Sequence, residues 1–177
     1  MVKTLIMAGG IGERLWPVSS EKRPKQFHHF GSAKTMIEET IERMEKLTSE
    51  MLIITTREQF PLIQYYTPLF KGDNVIFEPA GRNTAPAIAL GSTRFEDDDI
   101  MVIVPSDHII RDEETFLRTI KTAIEYAGEH EALVTIGITP TSPNTGYGYI
   151  ERGACLSEHE EVFAVRKFHE KPDYETA

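Results

Sequence analysis

Hydrophobic positions along the chain fall into two alternating textures. Continuous apolar runs occupy Val2–Met7 (VKTLIM), Met51–Thr55 (MLIIT), 100–104 (IMVIV) and 133–138 (LVTIGI). A strand covered on both faces of a parallel sheet reads this way, without polar alternation. Between these runs the apolar positions take helical spacing. Residues 32–48 place Met36, Ile37, Ile41, Met44 and Leu47 on one face, and 113–127 do the same with Phe116, Leu117, Ile120, Ala123, Ile124 and Ala127. Residues 57–70 predict a helix with Pro61 in its first turn, and 84–95 a helix of small residues. Shorter strands are predicted at 74–77 and 162–168, with a solvated acidic loop at 96–99. Strand and helix in alternation predict an α/β fold, a mainly parallel sheet with helices on both faces. Residues 139–153 (TPTSPNTGYGYIERG) are too rich in Pro, Gly and Thr to form one regular element. No repeat, low-complexity tract or dividing linker interrupts the pattern.

Composition narrows the classes. The 177 residues are 40% hydrophobic and 27% charged, which excludes a disordered or collagen-like chain. A net charge of −9 argues against generic nucleic-acid binding and against an anionic membrane surface. With Cys155 the single cysteine, no intrachain disulfide can form, which favours a reducing compartment. The apolar run at the N-terminus is too short for a signal core or membrane span, so the expected location is cytoplasmic.

The charge is uneven. Residues 1–30 hold Lys3, Arg14, Lys22, Arg23 and Lys25 against Glu13 and Glu21, a net of +3, which leaves −12 for the rest. The cations surround a glycine-rich segment after the first strand, GGIGERLWPVSSEKRPKQF at 9–27. Glycines at a strand's carboxyl end let backbone N–H groups approach a phosphate. Two familiar phosphate loops fit poorly. The Gly-Lys-Ser/Thr ending of a P-loop is absent, and Leu15 stands where a dinucleotide fingerprint needs its third glycine.

GG-x-G-x-RL-x-P followed by PK resembles the signature of sugar nucleotidyltransferases. The longer form, with Trp16, Ser19 and Pro24-Lys25-Gln26-Phe27, is similar to mannose-1-phosphate guanylyltransferases. Four further blocks agree in order: FEPAGRNTAPAI at 77–88, VPSDHII at 104–110, NTGYGYI at 144–150 and FHEKPD at 168–173. The resemblance implies a Rossmann-like, glycosyltransferase-A-like nucleotidyltransferase fold in which GTP and mannose 1-phosphate give GDP-mannose and pyrophosphate. It implies one nucleotidyltransferase domain over 1–177, with the nucleotide-binding half at about 1–138 and the start of a sugar-binding part at about 139–177.

The same resemblance assigns roles. Gly9, Gly10 and Gly12 form the triphosphate loop, Arg14 neutralises the departing pyrophosphate, and Lys25 sits near the α-phosphate and incoming sugar phosphate. Asp107, after the 100–104 strand, would hold Mg²⁺ beside Ser106. Glu78 suits guanine, whose N1–H and N2 amino group offer two adjacent donors to a carboxylate. Gly81 would approach the base, whereas Asn83 and Thr84 serve equally well as caps of the next helix. Gly146, Tyr147, Glu170 and Lys171 match the sugar-contacting positions. His108 and Trp16 read as packing residues.

The resemblance also implies a longer chain. After Glu170-Lys171-Pro172 the family continues with a Trp-Asn-Ser-Gly stretch, a second acidic metal ligand and a C-terminal region used in assembly, including homodimers. None lies within these 177 residues. The fold is therefore expected to be incomplete, with weak GTP binding and little transfer by this segment alone. Two alternatives stay open: another hexose-1-phosphate nucleotidyltransferase, and a non-catalytic nucleotide-binding fragment or subunit.

Overall fold

The computed structural model describes residues 1–80, 83–156 and 162–177, without the Arg14 side chain. The chain divides into two compact units, Met1–Arg118 and Thr119–Ala177.

The first unit is built on four parallel strands, β1 (Val2–Met7), β2 (Met51–Thr55), β3 (Val75–Phe77) and β4 (Ile100–Pro105), in the order β3-β2-β1-β4. All four lie on predicted runs. The connections β1–α1–β2 and β2–α2–β3 step one way across the sheet, through α1 (Met36–Glu45) and α2 (Phe60–Tyr66). The connection through α3 (Thr84–Ser92) returns across β1 to reach β4. Parallel crossovers are right-handed, so reversing the step puts α3 on the opposite face from α1 and α2.

Side-chain packing agrees. Leu5, Ile54, Ile76 and Ala87 of α3 form one buried cluster, with Met7, Leu52, Leu90, Phe95, Met101 and Ile103 against it. Ile6, Ile53, Val102 and Val104, of the other parity, are buried on the opposite face. There Thr40, Arg43 and Met44 of α1 line a small void with Val104 and Phe116.

Local chemistry explains where the helices begin and end. The Glu38 carboxylate accepts the Thr35 backbone N–H at 2.7 Å and its hydroxyl at 2.6 Å. This cap starts α1 at Met36 rather than at residue 32. α2 carries Pro61 in its first turn, as predicted, and stops at Tyr66 because Pro68 bars the preceding residue from helix.

The second unit departs from expectation at two places. Residues 133–138 form no strand: Leu133 is fully exposed, Ile138 is 83% exposed, and no strand among the described residues pairs with this run. A continuous apolar run predicts a strand only if neighbours exist to take its backbone bonds and cover its faces. Conversely, Gly148–Cys155, inside and beyond the stretch read as irregular, is a strand. This β5 pairs antiparallel with β6 (Phe163–Glu170), matching Gly148 to Glu170 and Ile150 to Phe168. It lacks an apolar run because it pairs on one edge and leaves much of its surface in solvent. α4 (Glu113–His130) spans the division between the units.

The acidic segment 96–99 is more than a solvated loop. Asp99 accepts the Glu96 N–H at 2.9 Å and pairs with Lys3 Nζ at 2.5 Å and the Met1 amine at 3.0 Å. These donors hold its carboxyl far below the usual range, and Asp99 in turn raises the Lys3 ammonium. A depressed carboxyl contributes stability above its unfolded value and loses it as pH falls towards the folded one. A raised ammonium loses its contribution as pH rises past the ordinary value. Asp99→Asn should therefore melt lower than the parent by a constant margin between about pH 5 and 9. The margin should shrink below about pH 4 and above about pH 10.5. Melting curves across this range test it, and a margin independent of pH would refute the pairing.

Candidate functional site

The four strands end on one side of the sheet, and the segments after β1, β3 and β4 line a single cleft of about 340 Å³. Its walls include Gly9, Gly10, Gly12, Gln26, Glu78, Asn83, Thr84, Ser106 and Asp107. The volume lies at the small end of the range for ligand sites. Most of the positions singled out in this unit therefore converge, although they are far apart in sequence.

The glycine segment leaves β1 at Met7 and turns back at Gly12, whose φ of +71° is left-handed. A Cβ there would stand 2.8 Å from Lys25 Cβ and 3.3 Å from Ser19 Oγ. Ser19, itself buried, donates its hydroxyl to the Gly12 carbonyl. Gly12 is thus both the bend and the seat on which Lys25 packs, so no side chain fits there. Lys25 opens a short 3-10 turn and reaches Asp107 Oδ2 at 3.3 Å. The pair is partly open to solvent, so both groups remain available to a ligand.

Glu78 follows β3 and is anchored through its N–H to the Thr55 carbonyl at 2.8 Å. Its carboxylate lies against Gly9, where a Cβ would come within 2.5 Å of Oε1. Burial raises its pKa, and no donor among the described residues bonds the carboxylate. Asn83 stands at the N-cap of α3 with φ +68° and makes no side-chain cap bond, and both it and Thr84 face the cleft. Ser106 is buried and tied to the Met7 carbonyl through its N–H at 3.0 Å. Gly81 lies outside the described residues, as does the Arg14 side chain.

His108 packs away from this cleft, beside Arg43, Met44 and Phe116. Burial there lowers its pKa against the raising effect of Asp107. Trp16, read as a packing residue, is instead 79% exposed. The sequence reading passed over Gln59 and gave Gln26 no role. Both are buried, joined at 2.8 Å, and bonded to carbonyls of the glycine segment. The available signal was a glutamine sharing a helix face with buried Ile63, four residues on.

In the second unit, the Asn144 side chain accepts the Gly146 N–H at 2.9 Å, and Tyr149 donates its hydroxyl to the Asn144 carbonyl. The Lys171 N–H bonds the Tyr147 carbonyl at 3.1 Å, and Lys171 Nζ lies 3.2 Å from Glu170 Oε1. Gly146, Tyr147, Glu170 and Lys171 thus gather at one end of the β5–β6 hairpin, with the Tyr147, Glu170 and Lys171 side chains exposed.

Comparison with known proteins identifies the family and the fold. The nucleotidyl transferase family matches residues 3–177. Curated mannose-1-phosphate guanylyltransferases of Klebsiella pneumoniae and Escherichia coli are each 44% identical over the whole chain, which spans 39% of their length. A solved structure described as a mannose-1-phosphate geranyltransferase from Thermus thermophilus matches with a TM-score of 0.86. It is 35% identical over 99% of this chain and 51% of that one. A mannose-6-phosphate isomerase from Helicobacter pylori matches at 0.79 and 29% identity, over 99% and 62%. With its sheet order, its glycine-lined cleft and a family match over nearly every residue, the chain belongs to the nucleotidyl transferase family.

Proposed function

We propose that this chain carries the GTP-binding site of a mannose-1-phosphate guanylyltransferase, which moves GMP from GTP to mannose 1-phosphate and releases pyrophosphate. The observation that carries the reading is the Lys25–Asp107 pair at the mouth of the glycine segment, with the Glu78 carboxylate, bonded by no donor among the described residues, in the same cleft. The names of relatives 44% identical to the chain support the choice of substrates.

The chemistry asks little of a general base. A sugar phosphate has its second ionisation near pKa ~6, so the attacking oxygen is already anionic at neutral pH. The difficulty is bringing two anions together and stabilising charge on the departing pyrophosphate. Backbone N–H groups of Gly9, Gly10 and Gly12 take the triphosphate, and Arg14 and Lys25 neutralise it. Lys25 bridges the nucleotide's α-phosphate and the incoming phosphate. Glu78 accepts the two guanine donors, with Asn83, Thr84 and the Gly81 backbone beside the nucleoside. Glu170 bonds sugar hydroxyls and Lys171 meets the sugar phosphate.

A divalent cation, Mg²⁺ in this reading, fits Asp107. Mg²⁺ commonly takes one or two carboxylates and completes its shell with phosphate oxygens and water. The described residues contain no cluster of three metal-ligating side chains, so the donor set suits a metal shared with substrate. When bound, it would supply charge neutralisation at the phosphates. The same proposal covers cytoplasmic location, homodimers of the longer chain and the absence of nucleic-acid partners, which the −9 charge supports.

Calorimetry with GTP, ATP and UTP tests the site. The chain should prefer GTP, and Glu78→Gln should cut GTP affinity about 10–100-fold, the worth of a charge-assisted hydrogen-bond pair, while leaving ATP nearly unchanged. Full retention of the GTP preference would remove Glu78 from base recognition, and equal binding of all three would remove guanine from the reading. Because burial raises the Glu78 pKa, GTP affinity should begin to fall at a higher pH than the ordinary 4.5 would give.

Lys25→Met should weaken GTP binding at least tenfold without altering the preference among bases. Binding constants for the same three nucleotides read this out, and unchanged affinity would place Lys25 outside the phosphate site. Followed by pyrophosphate release, transfer by these 177 residues alone should be slow.

A further inference from the structure

The glycine segment is held from beneath by an arrangement that the nucleotide reading does not by itself require. Three successive carbonyls are engaged there. Ala8 accepts from Gln26 Nε2 at 3.2 Å and Thr55 Oγ1 at 2.9 Å, Gly9 from Gln59 Nε2 at 3.0 Å, and Gly10 from both carboxamides at 3.1 and 3.3 Å. Gln26 Nε2 also lies 2.8 Å from Gln59 Oε1, joining the two into one unit and sharing its two hydrogens among three acceptors. Gln26, Gln59 and Thr55 are exposed by 2%, 3% and 0%, so the donors are buried, and the bonds to Ala8 and between the carboxamides are shielded from competing water.

A trans peptide is planar, with its C=O and the following N–H pointing opposite ways. Fixing the carbonyls of Ala8, Gly9 and Gly10 towards the carboxamides turns the N–H groups of Gly9, Gly10 and Ile11 away from them. No acceptor among the described residues bonds those three amides, and Gly9 and Gly10 line the cleft. Unrestrained glycines sample both signs of φ, and a ligand would have to order them on binding.

We propose that Gln26 and Gln59 are positioning residues that preorganise the glycine segment, aiming its amides at a polyphosphate. The inference rests on the nucleotide-binding reading above for the identity of the ligand. Its structural content, a loop held by two carboxamides, is independent of that reading.

The test uses Gln26→Met and Gln59→Met, which keep length and remove the donors, and Gln59→Glu, which keeps shape and turns an acceptor towards the carbonyls. Two readouts are taken on the intact chain. Backbone 15N relaxation by NMR compares the amides of Gly9, Gly10 and Ile11 with those of Leu5 and Ile53 in the strands, and calorimetry measures GTP and inorganic triphosphate. In each variant the order parameters of the glycine-segment amides should fall from about 0.85 towards about 0.6 while the strand amides hold. Triphosphate affinity should fall about tenfold, with Gln59→Glu the most affected.

Parental order parameters and affinity in the variants would overturn the inference. So would strand amides loosening as much as the glycine segment, or all three variants unfolding, since each means a purely structural role. A parent chain that binds neither GTP nor triphosphate overturns the functional reading instead. The relaxation comparison then still decides whether the carboxamides order the segment.

Discussion

Everything at the cleft depends on β1 being paired in parallel along both edges. β2 takes one edge and β4 the other, and the connections reaching them run in opposite directions over the sheet. The carboxyl ends of β1 and β4 lie side by side at this reversal, the place where an open α/β sheet forms its crevice. Three strands line it and the fourth supports it. The glycine segment follows β1, Glu78 follows β3, and Ser106 and Asp107 follow β4, while Gln59, after β2, holds the glycine segment. A shift of β1 by one residue would exchange the Leu5 and Ile6 faces, burying the wrong set and displacing the whole segment.

The electrostatics follow the same plan. The body is acidic, and the positive charge of the leading segment is concentrated beside the glycines. Lys25 does not stand free: it packs against Gly12 and pairs with Asp107. The pair suits a site that exchanges partners, because an entering phosphate can compete for the lysine while a cation competes for the carboxylate. Asp99 and Lys3 use the same pairing at the opposite end of β1, away from the cleft, where the pair serves stability.

Legibility in the sequence tracked how local the physical cause was. β1, β2 and β4 were readable because burial on both faces writes an uninterrupted apolar run into a few residues. Gly12 was readable because a left-handed bend against Lys25 admits nothing else. The 133–138 run failed as a strand because pairing is not a local property, and β5 was missed because one-edge pairing demands no apolar run. Asn83 and Thr84 were balanced between capping and ligand contact, and only the missing cap bond and their place in the cleft separate the two. Gln59 was harder for a further reason. Its spacing from Ile63 marks only an inward face, and its partner Gln26 lies 33 residues away, where no local spacing links them.

The choice of glutamine beneath the glycines is itself a physical argument. Three carbonyls need donors, and a lysine or arginine could supply them. An ionised group in place of the buried Gln26 or Gln59 would carry a desolvation penalty of several kcal/mol. It would also draw phosphate towards the wrong side of the loop. A carboxamide donates two hydrogens without charge and accepts one bond, so two of them can link and cover three carbonyls together. Charge is kept for Lys25, at the mouth, where solvent still lowers its cost and the ligand can reach it. Neutral donors set the shape from within, and exposed ions meet the substrate. The site thus separates orientation from attraction, which one set of buried cations could not do.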